Sequence, residues 1–291
     1  MHIGFTAMNN IELTRPEELG RALEERGFES LWVGEHNHIP VSRKTPYPAG
    51  GELPESYKRM ADPFISLAMV AAATTKLRVA TGVALLLERE LFTTAKEIAT
   101  LDQLCGGRLM IGVGVGWNEE ELADVNGAAS RIPWKRRYAG LHDCVKALRA
   151  LWAQEEAGYH GEYYHFDKAW SYPKPLQRPH PPIYVGVSGK VGTRHAAQWG
   201  DGWFPIDIGG RDFAYYIERF RTMVTEAGRD PAKVPICISA RGEPDLDRLL
   251  RYRDLGVERV LISTAGVDVG AFDKALPLLD RYAAMIPKLA S

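Results

Sequence analysis

The chain has 291 residues, 45% hydrophobic and 25% charged, with a formal net charge of -1. That length suits one large α/β barrel better than a sandwich, and the near-neutral balance lacks the basic footprint of proteins that bind nucleic acid or anionic membranes. Cys105, Cys144 and Cys237 are far apart and in no Cys-x-x-Cys pattern, which excludes a disulfide framework or a cysteine zinc site.

The N-terminal "MHIGFTAM" has no basic-then-apolar leader, and no apolar run reaches the roughly 18 residues that span a bilayer. A soluble cytoplasmic protein is expected. Strands are predicted at 2–8, 30–35, 77–86, 108–116, 183–187, 201–206, 234–240 and 259–264. They are apolar on both faces, as strands buried on both sides of a parallel sheet read. Helical patterns follow them at 15–27, 62–75, 93–104, 137–154, 190–199, 212–228, 243–256 and 269–286. Gly27 ends the first of these and Asp62-Pro63 opens the second.

Eight strand–helix pairs predict a (β/α)₈ TIM barrel, with residues 1–291 forming a single domain. A doubly wound sheet would place a Gly-rich turn after strand one, where Ala7, Met8 and Asn9 stand instead. Residues 36–61 and 155–182 read as long loops, which in such a barrel belong over a substrate pocket at the C-terminal face.

The end of strand two, "SLWVGEHNHIP" (30–40), runs from a core strand into Glu35, His36, Asn37 and His38. A metal site would need further ligands at other strand ends, and "GVSG" and "STAG" supply none, so no metal is expected. Two readings of Glu35 and His36 remain. One is a hydrogen-bonded pair that closes the barrel top; the other is an imidazole beside a carboxylate at the catalytic mouth, able to act as acid or base.

Gly112, Gly114 and Gly116 follow Gly-x-Gly-x-Gly spacing, which fails as a dinucleotide fingerprint. Gly112 and Gly114 read equally as crowded packing or as room for a flat ligand; Gly116 and Trp117, at the mouth, lean to function. Gly82, inside strand three, marks a bulge or a ligand against the backbone. "VGVSGKVGTRH" (185–195) places Ser188, Gly189 and Lys190 at a helix start, an anion cup with Thr193 and Arg194 one turn on. Asp102 and Arg108 are expected to pair beneath the barrel. Trp170, Trp199 and Trp203 are left without a role.

At this point the pattern resembles the bacterial luciferase-like superfamily of flavin and deazaflavin enzymes. The residues that carry it are "LWVGEH" (31–36), "KEIATLDQLCGGRLMIGVGVGWNEEEL" (96–122), "YPKPLQRPHPPIYVGVSG" (172–189) and "AAQWGDGWFP" (196–205). "GVGVGWN" and the short length are most similar to oxidoreductases that use coenzyme F420, a deazaflavin. The resemblance implies a homodimeric barrel with the cofactor's ring at the mouth. Glu35 and His36 would lie beside its reactive edge, and Gly82–Val83 would back it, often through a non-proline cis peptide. Val115, Gly116, Trp117 and Asn118 would face it, and Gly186, Val187, Ser188, Gly189 and Lys190 would hold its phosphate.

Two departures, Trp117 in place of a glutamate and no tryptophan near Pro40, argue against a sugar-phosphate substrate. The expected activity is hydride transfer between F420 and a small organic molecule, with His36 moving the proton and Glu35 orienting it or binding the cofactor. The alternatives are a monooxygenase using reduced FMN and, from another class, a non-catalytic flavin-binding barrel.

Overall fold

The computed structural model describes residues 1–126, 132–187, 189–209, 212–263 and 272–289. The chain begins with β1 (His2–Ala7), α1 (Pro16–Glu25), β2 (Ser30–Val33), α2 (Pro63–Ala73), β3 (Arg78–Ala84), α3 (Leu91–Leu104) and β4 (Leu109–Val113). Helix α4 (Glu119–Asn126), helix α5 (Arg137–Ala153) and the hairpin β5 (Glu156–His160)–β6 (His165–Trp170) follow. Next come β7 (Ile183–Val185), α6 (Lys190–Trp199), β8 (Gly202–Trp203), β9 (Ile206–Asp207), α7 (Phe213–Glu226) and β10 (Cys237–Ala240). The last elements are α8 (Leu246–Asp254), β11 (Arg259–Ser263) and α9 (Leu276–Ala283).

The main sheet is parallel throughout, in the order β8-β7-β4-β3-β2-β1-β11-β10-β9. Its two outermost strands, β8 and β9, are successive halves of the sixth stave, so the sheet closes on itself as the predicted (β/α)₈ barrel. The split falls at Phe204-Pro205, where proline supplies no N–H to a ladder, although its carbonyl still accepts from Ser239 N.

Helix ends follow their local chemistry. Pro16 starts α1; after it Gly27 takes φ +77°, and Phe28 N donates to Leu23 O at 3.1 Å. The Asp62 carboxylate accepts from Ile65 N at 3.0 Å at the start of α2.

Inside the barrel, Trp32, Ala80, Met110, Tyr184, Phe204, Cys237 and Leu261 form a core separate from the larger strand–helix layer. The Trp32 ring lies 4.9 Å from Phe204 and 5.5 Å from Tyr184, centroid to centroid. A Cβ at Gly112 would collide with the backbone carbonyl of Thr81 and stand 3.1 Å from Trp32 Cζ3, so this glycine is explained by crowded packing. Beneath it, Arg259, 1% exposed, is bound by Glu29 at 2.6 and 2.7 Å and closes the lower end.

Three expectations need correction. Asp102 and Arg108 do not pair. Asp102 accepts from Gln177 N at 2.8 Å and Gln177 Nε2 at 2.7 Å. Arg108 sits where α2 ends, and its guanidinium donates to the carbonyls of Ala71, Thr74, Leu77 and Cys105 and to Thr74 Oγ1. Orphan carbonyls and the negative end of a helix dipole attract a cation more strongly than a carboxylate already engaged by two N–H groups. The 155–182 segment is not all loop, because β5 and β6 pair antiparallel within it. A helix, α4, also follows β4, where only strand and loop were expected.

Candidate active site

The upper strand ends form a rim whose floor is open. In the strands below, residues such as Trp32, Thr81 and Val113 are buried, whereas Ala7, Gly34, His36, Gly82, Val83, Gly116, Trp117 and Gly186 are half-buried. The Gly82–Val83 peptide is cis, and the β3–β4 register shifts between Thr81 and Ala84. Val83 packs against the inner core and fits into a notch made by two glycines. A Cβ at Gly114 would meet Val83 Cγ2 at 2.6 Å, and one at Gly186 would press on Val83 Cγ1. Both glycines are thus required by one neighbouring side chain.

His36 and Glu35 do not form a pair. The Glu35 carboxylate turns under the loop after β3, accepting from Leu85 N at 2.7 Å and Arg89 Nε at 2.6 Å. Arg89 also bonds Asp62 and Glu97. Burial pushes the Glu35 carboxyl up, against the pull of Arg89 and the Leu85 N–H. Both residues follow the end of β2 at Val33, and there the two neighbouring side chains reach different partners: Glu35 the loop after β3, His36 the start of α4.

The carboxylate that His36 does meet is Glu121, in the first turn of α4: His36 Nδ1 lies 2.7 Å from Glu121 Oε2. Trp117 Nε1–H donates to His36 Nε2 at 3.2 Å. An acceptor at Nε2 places the ring proton on Nδ1, facing the acid. Behind Glu121 stands Glu88, 6% exposed, whose carboxyl is pushed up by burial and then by the neighbouring Glu121. Sequence reasoning missed both acids. Glu121 was hidden in "NEEEL", an acidic first turn that any helix dipole favours.

The loop after β2 closes over this set. Tyr57 lies 5.3 Å from His36 and 6.2 Å from Trp117, and Tyr47 lies 5.3 Å from Tyr57 and 5.9 Å from Trp117. Burial and the Tyr47 hydroxyl hold the Tyr57 phenol well above its usual range. The Glu120 carboxylate anchors one end of the loop, accepting from Lys44 N at 2.9 Å and Thr45 Oγ1 at 2.7 Å. At the other end, Ala61 N donates to Asn9 O at 2.9 Å and Asn9 Nδ2 to Ala61 O at 2.6 Å.

Val115 is buried below the rim; Asn118 is 1% exposed, and neither atom of its amide has a partner among the described residues. Across the mouth, Val187 O accepts from Trp203 Nε1, and Gly189 precedes α6 with no side chain capping the helix. Ser188, expected in that turn, lies outside the described residues. Lys190 and Arg194 are exposed and line an outer groove toward α7 with Arg219 and Glu226. Trp199 and Trp203 are buried, and Trp170 is exposed on β6. Among the described residues no cluster of three or more His, Cys, Asp or Glu side chains could hold a metal ion.

Residues 1–242 match the luciferase-like monooxygenase family. The chain belongs to that family. The luciferase-like chain is 38% identical over 292 residues to an uncharacterised protein of Mycobacterium tuberculosis, covering 98% of this chain and 99% of that one. It is 30% identical over 242 residues to the F420-dependent glucose-6-phosphate dehydrogenase of Nakamurella multipartita, covering 81% of this chain and 66% of that one. Over 113 residues it is 35% identical to the FMNH2-dependent dimethylsulfone monooxygenase of Pseudomonas putida, covering 38% of this chain and 30% of that one. The fold matches the coenzyme F420-dependent tetrahydromethanopterin reductase of Methanopyrus kandleri with a TM-score of 0.77 at 15% identity, covering 99% and 98% of the two chains. Both F420-dependent and FMN-dependent enzymes are thus relatives of this luciferase-like oxidoreductase.

Proposed function

We propose that this luciferase-like protein is an F420-dependent oxidoreductase that moves a hydride between the deazaflavin and a small organic substrate. The observation that carries the reading is the His36–Glu121 pair, at the edge of a half-open floor centred on Val83. The residues fit a flat heterocycle. Glycines leave the rim low, and Asn118 keeps an unpartnered buried amide beside it. The uncapped start of α6 at Gly189 suits an anionic tail.

When bound, the deazaflavin supplies the hydride donor or acceptor. The protein's part is to position and to manage the proton. Val83, backed by Gly114 and Gly186, would support the ring. His36 exchanges the accompanying proton through Nε2 once the Trp117 indole yields it, while Glu121 holds Nδ1 and fixes the imidazole. Glu35, bound by Arg89 and Leu85, supports the wall and takes no direct part, which revises the role expected from sequence. Tyr47, Tyr57 and Trp117 keep bulk water from the substrate side. Holding the reactants in contact can contribute about 7–11 kcal/mol to lowering the barrier. A homodimer and a cytoplasmic location remain part of the proposal.

The test is separate anaerobic titration with F420 and FMN, followed by fluorescence quenching. Deazaflavin binding with little flavin binding supports the reading. Flavin binding alone would favour the monooxygenase. With either cofactor, His36→Asn should lower turnover far more than cofactor affinity, and unchanged turnover removes His36 from the mechanism.

A further inference from the structure

Glu88 and Glu121 share a pocket that the proposed chemistry does not yet explain. Glu88 ends the short turn after β3 and Glu121 lies in the first turn of α4; they are 6% and 1% exposed. Glu88 Oε2 and Glu121 Oε1 are both buried, and neither has a hydrogen-bond donor among the described residues. The turn that carries Glu88 packs against α4, and the Glu121 carboxyl lies close enough to act on that of Glu88. Two carboxylates cannot both be ionised so close together in a dry site; one must carry a proton and become the donor.

The surroundings decide which one. Glu121 has a donor in the Nδ1–H of His36, 2.7 Å from its Oε2. Glu88 faces Glu121 from α4 and Glu35 from the end of β2, both acidic. The cation next to it in sequence, Arg89, is taken by Glu35, Asp62 and Glu97. Asn37 reaches only the Glu88 backbone carbonyl. Burial, followed by the Glu121 charge and hydrogen bond and the Glu35 charge, pushes the Glu88 carboxyl up to about 9.

We infer that Glu88 is a neutral carboxylic acid whose hydroxyl donates to Glu121 and holds that carboxylate against His36. It is a positioning residue, acting through Glu121. The inference rests on the reading of His36 as the proton-exchanging group, and it completes that set. At rest the three side chains hold two protons, one on His36 Nδ1 and one on Glu88. When His36 Nε2 takes a proton from substrate, the Nδ1 proton passes to Glu121 Oε2. The set then holds three protons and no net charge, so no buried ion pair has to be created during the reaction.

The experiment uses the protein without cofactor. Infrared difference spectroscopy at neutral pH should show a protonated-carboxyl C=O band in the parent protein that is lost in Glu88→Gln. Nitrogen-15 NMR should find His36 in the Nδ1–H tautomer in the parent and in Glu88→Gln, whose amide still donates. Glu88→Leu, which cannot donate, should shift the His36 signals toward mixed tautomers. A carboxyl band unchanged in Glu88→Gln overturns the inference, as does a His36 spectrum unaffected by Glu88→Leu. If the leucine variant does not fold, the infrared comparison alone decides. Neither readout depends on turnover. Should both succeed while His36→Asn leaves turnover intact, the proposed function falls and the hydrogen-bond assignment stands.

Discussion

The glycine notch around Val83 gives a sharp energetic test. Gly114→Ala would put a methyl carbon 2.6 Å from Val83 Cγ2, with the next neighbours at 3.4 Å (Val83 Cβ) and 3.8 Å (Gly186 O). Favourable carbon–carbon contact begins near about 3.5 Å, so the clash is almost 1 Å deep and falls on a single branched side chain. Val83 is stiff at χ1 and has little room to turn away. Overpacking of this kind costs about 1–3 kcal/mol, reduced by about 0.4–1 kcal/mol because alanine restricts the unfolded chain. Val83→Ala alone should cost about 1 kcal/mol, since Val83 is only half-buried.

In the double variant the clashing methyl is gone, and Gly114→Ala should become neutral or slightly stabilising. Urea unfolding of all four proteins in a double-mutant cycle should therefore give a favourable coupling of about 1–2 kcal/mol. If Gly114→Ala costs the same with valine or alanine at 83, Val83 is not what requires the glycine, and the packing account of the floor fails.

Other outcomes follow from single contacts. Arg108→Met removes the donor to five acceptor atoms at the barrel base and should cost about 3 kcal/mol in the same assay. Asp102→Asn should add to that loss independently, and strong coupling between the two would revive the rejected ion pair. Glu24 caps Thr75, Lys76 and Leu77; burial opposes its ionisation, but those N–H groups and Arg108 outweigh it and hold the carboxyl below its usual value. Its contribution is therefore present above the unfolded value of 4.5 and is lost as pH falls below it, so Glu24→Gln should destabilise the protein at pH 7 and flatten that acid limb of the stability curve. Trp117→Phe keeps an aromatic ring but deletes the donor to His36 Nε2; it should cost about 0.5–1.5 kcal/mol and change the His36 nitrogen spectrum, and an unaltered spectrum would show that the bond is not formed in solution.

The barrel was legible because parallel strands covered on both faces read as apolar runs, and short connections fix their order. The break in the sixth stave was not, since Pro205 sits inside an otherwise continuous apolar stretch. The hairpin β5–β6 escaped because its residues are largely polar and exposed, with only weak alternation to mark it. At the candidate site, His36, Val83 and Trp117 were named from strand ends and from the family resemblance, and the structure brings them to one rim. Glu121 and Glu88 were not, because they meet His36 from two other segments of the chain. Adjacency suggested Glu35 as the partner, but its carboxylate is taken by Arg89 and the Leu85 N–H instead.

The long connection after β2 is tied down at both ends, by Glu120 near Thr45 and by Asn9 at Ala61. Tyr47 and Tyr57 stand just inside those two moorings, so the tip between them can be rebuilt without disturbing the imidazole below. Variation among chains of this architecture can therefore gather in the tip and change what is admitted, while the reactive groups keep their spacing. A graft of a foreign tip onto this frame would leave the His36–Glu121 contact beneath it in place.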